Sequence, residues 1–109
     1  MNPKTRFDVQ RIYKSAVSVD PPAEFAQLEV SDISVVVFEE LRSGSLKKTK
    51  LNAVLSKIYV NETQFYWQID IGPRIWKAKS YRFEFRRGGE LLFGVSADFR
   101  YEFFSPYDY

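Results

Sequence analysis

Three groups of residues in this chain have side chains that could do chemistry. The first is the carboxylates Glu39, Glu40 and Asp70. Adjacent residues of a strand point to opposite faces, so Glu39 and Glu40 make a poor pair for one metal ion. The plainer reading is solvated charge at a strand end, where acidic residues are usually found. The second group is Arg42, Lys47, Lys48 and Lys50, the densest basic stretch of the sequence. Ammonium and guanidinium groups at this density suit phosphate contact, which is electrostatic and salt-sensitive. A solubilising loop is the simpler alternative. The third group is Tyr59, Tyr66 and Arg82, which on one face would stack bases of single-stranded nucleic acid. The same residue types anchor protein interfaces, and the nearly balanced charge favours a protein partner. Arg86 and Arg87, close to Glu84 and Glu90, read as a cross-strand charge ladder.

What is missing narrows the chemistry further. The chain has no histidine, which removes the commonest general base and metal ligand. It has no cysteine, which excludes disulfides and thiolate metal sites. Serine, lysine and tyrosine are present, but no spacing sets a nucleophile beside a base. The sequence therefore assigns no catalytic residue, no metal ligand and no cofactor, and predicts a chain that is not an enzyme.

The elements that must position these side chains are strands. Across 109 residues, 45% are hydrophobic and 17% aromatic. That is enough apolar material for one ordered domain. β-Branched and aromatic residues fill the periodic segments, which favours sheet. Sixteen Lys and Arg against 14 Asp and Glu leave a net charge of +2, with an isoelectric point near 8.9. A balance this even makes nucleic acid the less favoured partner, since dedicated binders concentrate basic charge on one face. The N-terminus lacks an apolar signal core, and the longest apolar run, Val35 to Phe38, is far too short to span a membrane. The expectation is a chain made in the cytoplasm with no membrane partner.

The stretch from Ser80 to Phe104 predicts a β-hairpin. Tyr81, Phe83 and Phe85 alternate with Arg82, Glu84 and Arg86; Leu91, Phe93, Val95, Ala97 and Phe99 continue the pattern on the second arm. A two-residue Gly88-Gly89 loop would pair Phe85 with Leu92 and mix the faces. A three-residue loop, Arg87-Gly88-Gly89, pairs Phe85 with Leu91, Phe83 with Phe93 and Tyr81 with Val95, and is preferred because a slip of one residue flips every side chain. Gly89 then takes a positive φ. The second arm is long, and a bulge is expected at Gly94 or over Ser96-Ala97-Asp98.

Elsewhere, Ile33 to Glu40 reads as a buried strand, and Leu41 to Lys50 as the chief loop. Leu51 to Val60 reads as a strand with an irregularity near Ser56-Lys57, where the apolar parity changes. Thr63 to Ile71 is the cleanest strand, with Phe65, Trp67, Ile69 and Ile71 inward. Asp20-Pro21 opens either a short helical turn carrying Phe25 and Leu28 or an extended segment. The expected core is Val35, Val37, Leu55, Ile58, Phe65, Trp67, Ile69, Tyr81, Phe83, Phe85, Leu91, Phe93 and Val95, with Trp67 or Trp76 central.

Six or seven short strands with regular turn signals predict an all-β fold, an antiparallel β-sandwich of about seven strands with extended N- and C-terminal arms. A small β-barrel is the alternative. The expected boundaries are an arm over residues 1–24, with an edge strand in it as one option, a sandwich over 25–104 and an aromatic tail over 105–109. The order of central strand, Gly-Pro connection, Lys-x-x-Tyr-x-Phe-x-Phe strand, Gly-Gly hairpin and long last strand resembles immunoglobulin-like domains, including the small modules of tailed-phage virions such as baseplate, decoration and connector proteins. The resemblance covers Ile33 to Phe103 in pattern alone. It implies a multi-copy structural or interaction protein of a bacteriophage virion, bound to copies of itself and to other virion subunits. Phe103, Phe104, Tyr107 and Tyr109, with Phe7, are the partner-binding residues expected on that reading. Arg42, Lys47, Lys48 and Lys50 serve the alternative, a small phage protein that binds nucleic acid or inhibits the host.

Overall fold

In a computed structural model, residues 16–72, 77 and 79–99 are described. Residues 1–15 of the expected N-terminal arm and the expected tail over 105–109 fall outside them, and so do Phe7, Trp76, Phe103, Phe104, Tyr107 and Tyr109.

The described chain is all-β. Its strands are β1 (Ala16–Val19), β2 (Ser34–Glu40), β3 (Leu46–Lys48), β4 (Val54–Tyr59), β5 (Phe65–Asp70), β6 (Ser80–Arg87) and β7 (Glu90–Asp98). Only two 3-10 turns, Ala23–Phe25 and Val30–Asp32, interrupt them. Every pairing is antiparallel, in a three-stranded sheet of order β1-β5-β4 and a four-stranded sheet of order β3-β2-β6-β7. Hairpins join β2 to β3, β4 to β5 and β6 to β7; the other connections change sheet. Two antiparallel sheets with a shared apolar layer make a β-sandwich. Among the described residues no helix is long and apolar enough to cross a membrane.

The core is the layer between the sheets. Val17 and Val19 of β1, Val35 and Val37 of β2, Leu55 of β4, Trp67 and Ile69 of β5, and Tyr81, Phe83 and Phe85 of β6 alternate into it. Trp67 is central as expected, its indole packed against Phe85 and Phe93. Its Nε1 has no hydrogen-bond partner among the described residues, a cost set against the area that this ring removes from water. Phe25 and Leu28, on the 3-10 turn and just beyond it, cover one flank, and Phe25 stacks on Phe93 with centroids 5.5 Å apart.

The hairpin differs from the sequence reading. Gly88 and Gly89 both have positive φ, +58° and +87°. That is a two-residue loop with the twist that suits a hairpin. Arg87 faces Glu90 and Arg86 faces Leu91, yet Phe85 faces Phe93, so Leu92 is an extra residue with no partner. The bulge restores the parity that a two-residue loop would otherwise spoil. Phe83 lies opposite Val95 instead of Phe93, and Tyr81 opposite Ala97. The expected bulge at Gly94 or Ser96 to Asp98 is absent. Gly94 serves another purpose: a Cβ there would come within 2.5 Å of Arg82 Nη2, so the guanidinium lies over its bare backbone.

Two expected core residues are not core. Leu91 is 44% exposed, because the bulge leaves it on the Arg86 side. Ile58 faces outward, and Lys57 takes the inward position opposite Trp67. The parity change there is not an irregularity, since β4 keeps unbroken register from Val54 to Tyr59. The Lys57 ammonium sits 4.5 Å from the Phe65 ring centroid. A long stem and a cation–π contact thus let a lysine occupy the inner side of an edge strand, where an inward charge also discourages pairing with other chains.

The basic stretch read as loop contains β3. It pairs along the β2 edge, with Glu39 opposite Lys47 and Phe38 opposite Lys48. Beyond it, the Thr49 backbone N–H and its hydroxyl both donate to Val37 O, at 3.0 and 2.9 Å. Ala53 then bridges Val35 before β4 begins in the other sheet. One run of chain therefore passes from sheet to sheet, which holds the lysine-bearing segment against β2.

Candidate functional site

Cross-strand register assembles a row on the inner face of the four-stranded sheet, Lys47–Glu39–Tyr81–Ala97. Around this row opens a cleft of about 580 Å³, lined by Lys47, Lys48, Lys50, Lys77 and Lys79 together with Glu39, Thr49, Leu51 and Tyr81. Its size is that of a small-ligand site. Three of the four basic residues singled out from the sequence, Lys47, Lys48 and Lys50, therefore share one concave surface. The fourth, Arg42, lines a neighbouring cleft of about 410 Å³ with Glu40, Leu41, Gly44 and Ser80. Glu39 and Lys79 line both.

The sequence did not point to Lys77 and Lys79. They lie some 30 residues along the chain from Lys47 and arrive because β6 pairs with β2. The one available signal is the β6 pattern itself: if Glu39 sits opposite Tyr81, the residues just before Tyr81 must approach Lys47.

Charge in the larger cleft is one-sided. The one carboxylate among its described lining residues, Glu39, is paired with Lys79 at 3.2 Å, the two side chains 23% and 43% exposed. Lys47, Lys48, Lys50 and Lys77 line the cleft with no acidic partner among the described residues, Lys47 and Lys48 from opposite faces of β3. Glu40 is also occupied, accepting a hydrogen bond from the Ser80 hydroxyl at 3.1 Å. Asp70 lies well apart in the other sheet, its carboxylate accepting the Gly72 N–H at 2.7 Å. No three of His, Cys, Asp and Glu gather around one point among the described residues.

Tyr81 forms the floor. It is 4% exposed, and its hydroxyl accepts the Lys77 backbone N–H at 3.3 Å. Burial pushes its phenol above the ordinary value; the Lys77 hydrogen bond and the Lys79 ammonium oppose this, and Glu39 adds to it. A group protonated more tightly in the folded state stabilises the fold fully below its unfolded pKa of about 10 and loses that contribution as pH rises through the folded value. Denaturant titrations at pH of about 9 and 11 should therefore show a greater loss of stability in the parent than in Tyr81→Phe. Equal losses would mean that the phenol gains nothing from its burial.

The third group does not converge. Tyr66 lies on the outer side of β5 and Arg82 on the outer side of the opposite sheet, while Tyr59 packs edge-on against Phe65. Period-two alternation separates them, so no single stacking face forms.

Comparisons with family models, with curated proteins and with solved structures return no match. The chemistry of the cleft thus rests on its own residues: lysines that act as point charges, with neither a guanidinium fork nor an exposed ring among the described lining residues.

Proposed function

We propose that this domain is a non-enzymatic binding module whose lysine-lined cleft takes a phosphate-bearing anion. The observation that carries the reading is the gathering of Lys47, Lys48, Lys50 and Lys77 around one cleft with no acidic partner among the described residues. A solubilising loop would scatter its charge outward. Here the β2–β3 pairing and the twin Thr49 bonds to Val37 O hold the charges in place, and preorganised charge loses less on binding. Four phosphate contacts give an expected slope of about −3 for log affinity against log salt. Anisotropy with a labelled polyphosphate, titrated at several salt concentrations, measures that slope. Affinity that is flat in salt would sink the reading.

A second reading is favoured by the outer face of the three-stranded sheet. Ala16, Ser18, Ser56, Ile58, Tyr66 and Gln68 project there, and Asp70 is the one charged side chain among the β1, β4 and β5 residues on that side. Depletion of charge is the compositional mark of an interface core. The occupant on this reading is another copy of the chain, as in the multi-copy virion subunit that the immunoglobulin-like resemblance implies. Sedimentation of the parent and of Tyr66→Glu tests it: self-association lost in the variant supports it, and a monomer at every concentration overturns it.

A further inference from the structure

We infer that the two neighbouring clefts form one continuous track for a single strand of nucleic acid. This rests on the anion-binding reading above and names its ligand. The clefts are joined through Glu39 and Lys79, which line both. On one side of that junction stand Lys47, Lys48, Lys50 and Lys77, and on the other Arg42. A compact phosphate ligand would be satisfied by the larger cleft and would leave Arg42 idle. A chain of phosphates uses both.

The junction itself suits a chain. Lys79 and Glu39 neutralise each other at 3.2 Å, and Ser80 holds the Glu40 carboxylate. The two acidic groups among the described residues of the track are thus both engaged by neighbours. A phosphate arriving at the junction competes with Glu39 for Lys79, so the ion pair acts as a weak guard on passage from one cleft to the other.

The track also says how the strand lies. The ring lining it among the described residues is Tyr81, buried and bonded through its hydroxyl to the Lys77 N–H, so no base stacks on that ring as on the aromatic platforms of other single-strand binders. Lysine grips phosphate as a point charge without reading base edges. The backbone therefore lies inward, the bases face solvent, and recognition is indifferent to sequence. A duplex is stiff and convex, and presents its phosphates to the rim of these clefts instead of to their floors.

Anisotropy with labelled oligothymidylates of about 2, 4, 8 and 16 nucleotides covers the usual range of single-strand site sizes. Oligouridylates of the same lengths, a duplex, and tripolyphosphate as a compact probe complete the set. Affinity should rise with length until both clefts are filled, equally for the two sugars, and the duplex should bind more weakly. Arg42→Glu should weaken the longest oligomer about fivefold or more and leave tripolyphosphate unchanged. Glu39→Gln, which frees Lys79 and removes a negative charge, should strengthen the longest oligomer. If affinity is already maximal at the shortest length and Arg42→Glu has no effect, the track is wrong while the lysine cleft stands. Duplex binding as tight as single-strand binding also overturns it. If neither oligomers nor tripolyphosphate bind, the anion-binding reading fails, and the track with it.

Discussion

Replacing Phe93 with alanine will cost the domain about 3–5 kcal/mol. Phe93 is 4% exposed and stands where three aromatic contacts meet. It stacks on Phe85 with centroids 4.4 Å apart and planes 11° from parallel, on Phe25 at 5.5 Å, and against Trp67 at 5.9 Å. Truncation removes the buried ring and leaves neighbours from both sheets and the 3-10 turn without a common partner. A domain of this size has a total stability of about 5–15 kcal/mol. At about 4 °C per kcal/mol, the melting midpoint should fall by about 12–20 °C. Leu91→Ala is the informative control. In a register with a three-residue loop Leu91 would face Phe85 in the core, and its truncation would rival that of Phe93. In the bulged register it is a surface residue, and its loss should cost no more than about 1 kcal/mol. Comparable destabilisation by the two substitutions would show that the register with Leu92 as the extra residue is wrong.

That pair of residues shows what the sequence made legible. Period-two alternation placed Trp67, Ile69, Tyr81, Phe83 and Phe85 in the core because each lies in a clean run, and all five are buried. It failed at Leu91-Leu92-Phe93, where three apolar residues in succession fit either parity. Two preferences then compete: the Gly-Gly turn with both φ positive, and continuity of the apolar face. The chain satisfies both by inserting a bulge, which parity cannot reveal. Ile58 failed for a different reason. An irregularity near Ser56-Lys57 would have let Leu55 and Ile58 both face inward, whereas the strand runs unbroken and Lys57 lays its stem over Phe65 with Ile58 outside. β1 is only four residues long, and Val17 and Val19 gave too short an alternation to separate from the arm before it. In the candidate site, Lys47, Lys48 and Lys50 were legible because they are neighbours in sequence. Lys77 and Lys79 were not, because what brings them near is the pairing of β2 with β6. Net charge is silent on distribution: +2 over the whole chain is compatible with a cleft lined by four lysines that have no acidic partner among the described residues.

The second large effect is expected at that cleft. Lys48→Glu and Lys50→Glu combined with Lys47→Gln should weaken polyphosphate binding by on the order of 100-fold at low salt. The estimate assigns about 1 kcal/mol to each altered charge in a water-like dielectric, and about 1.4 kcal/mol to each tenfold in affinity. Lys47 is neutralised rather than reversed because it faces Glu39 across the strands, where a second carboxylate would add repulsion that loosens β3. With that precaution the fold should hold. All three lysines are exposed, and surface changes of this kind usually shift stability by no more than about 0.5 kcal/mol each. The anchor of the segment is Thr49, whose bonds to Val37 O are untouched. Circular dichroism and a melting curve check the fold, and anisotropy checks the binding. The salt slope should also become shallower by about 2, since three of the four counterion-releasing contacts are gone. A variant that keeps the parental fold and binds within about threefold of the parent would place the anion site elsewhere on the domain. A variant that loses binding and also melts early would leave charge and structure entangled. Lys77→Gln then separates them, because Lys77 lies outside the strands and only its backbone N–H bonds to Tyr81. Weakened binding from that neutral change, with an unaltered melting curve, supports the cleft, and unaltered binding sinks it.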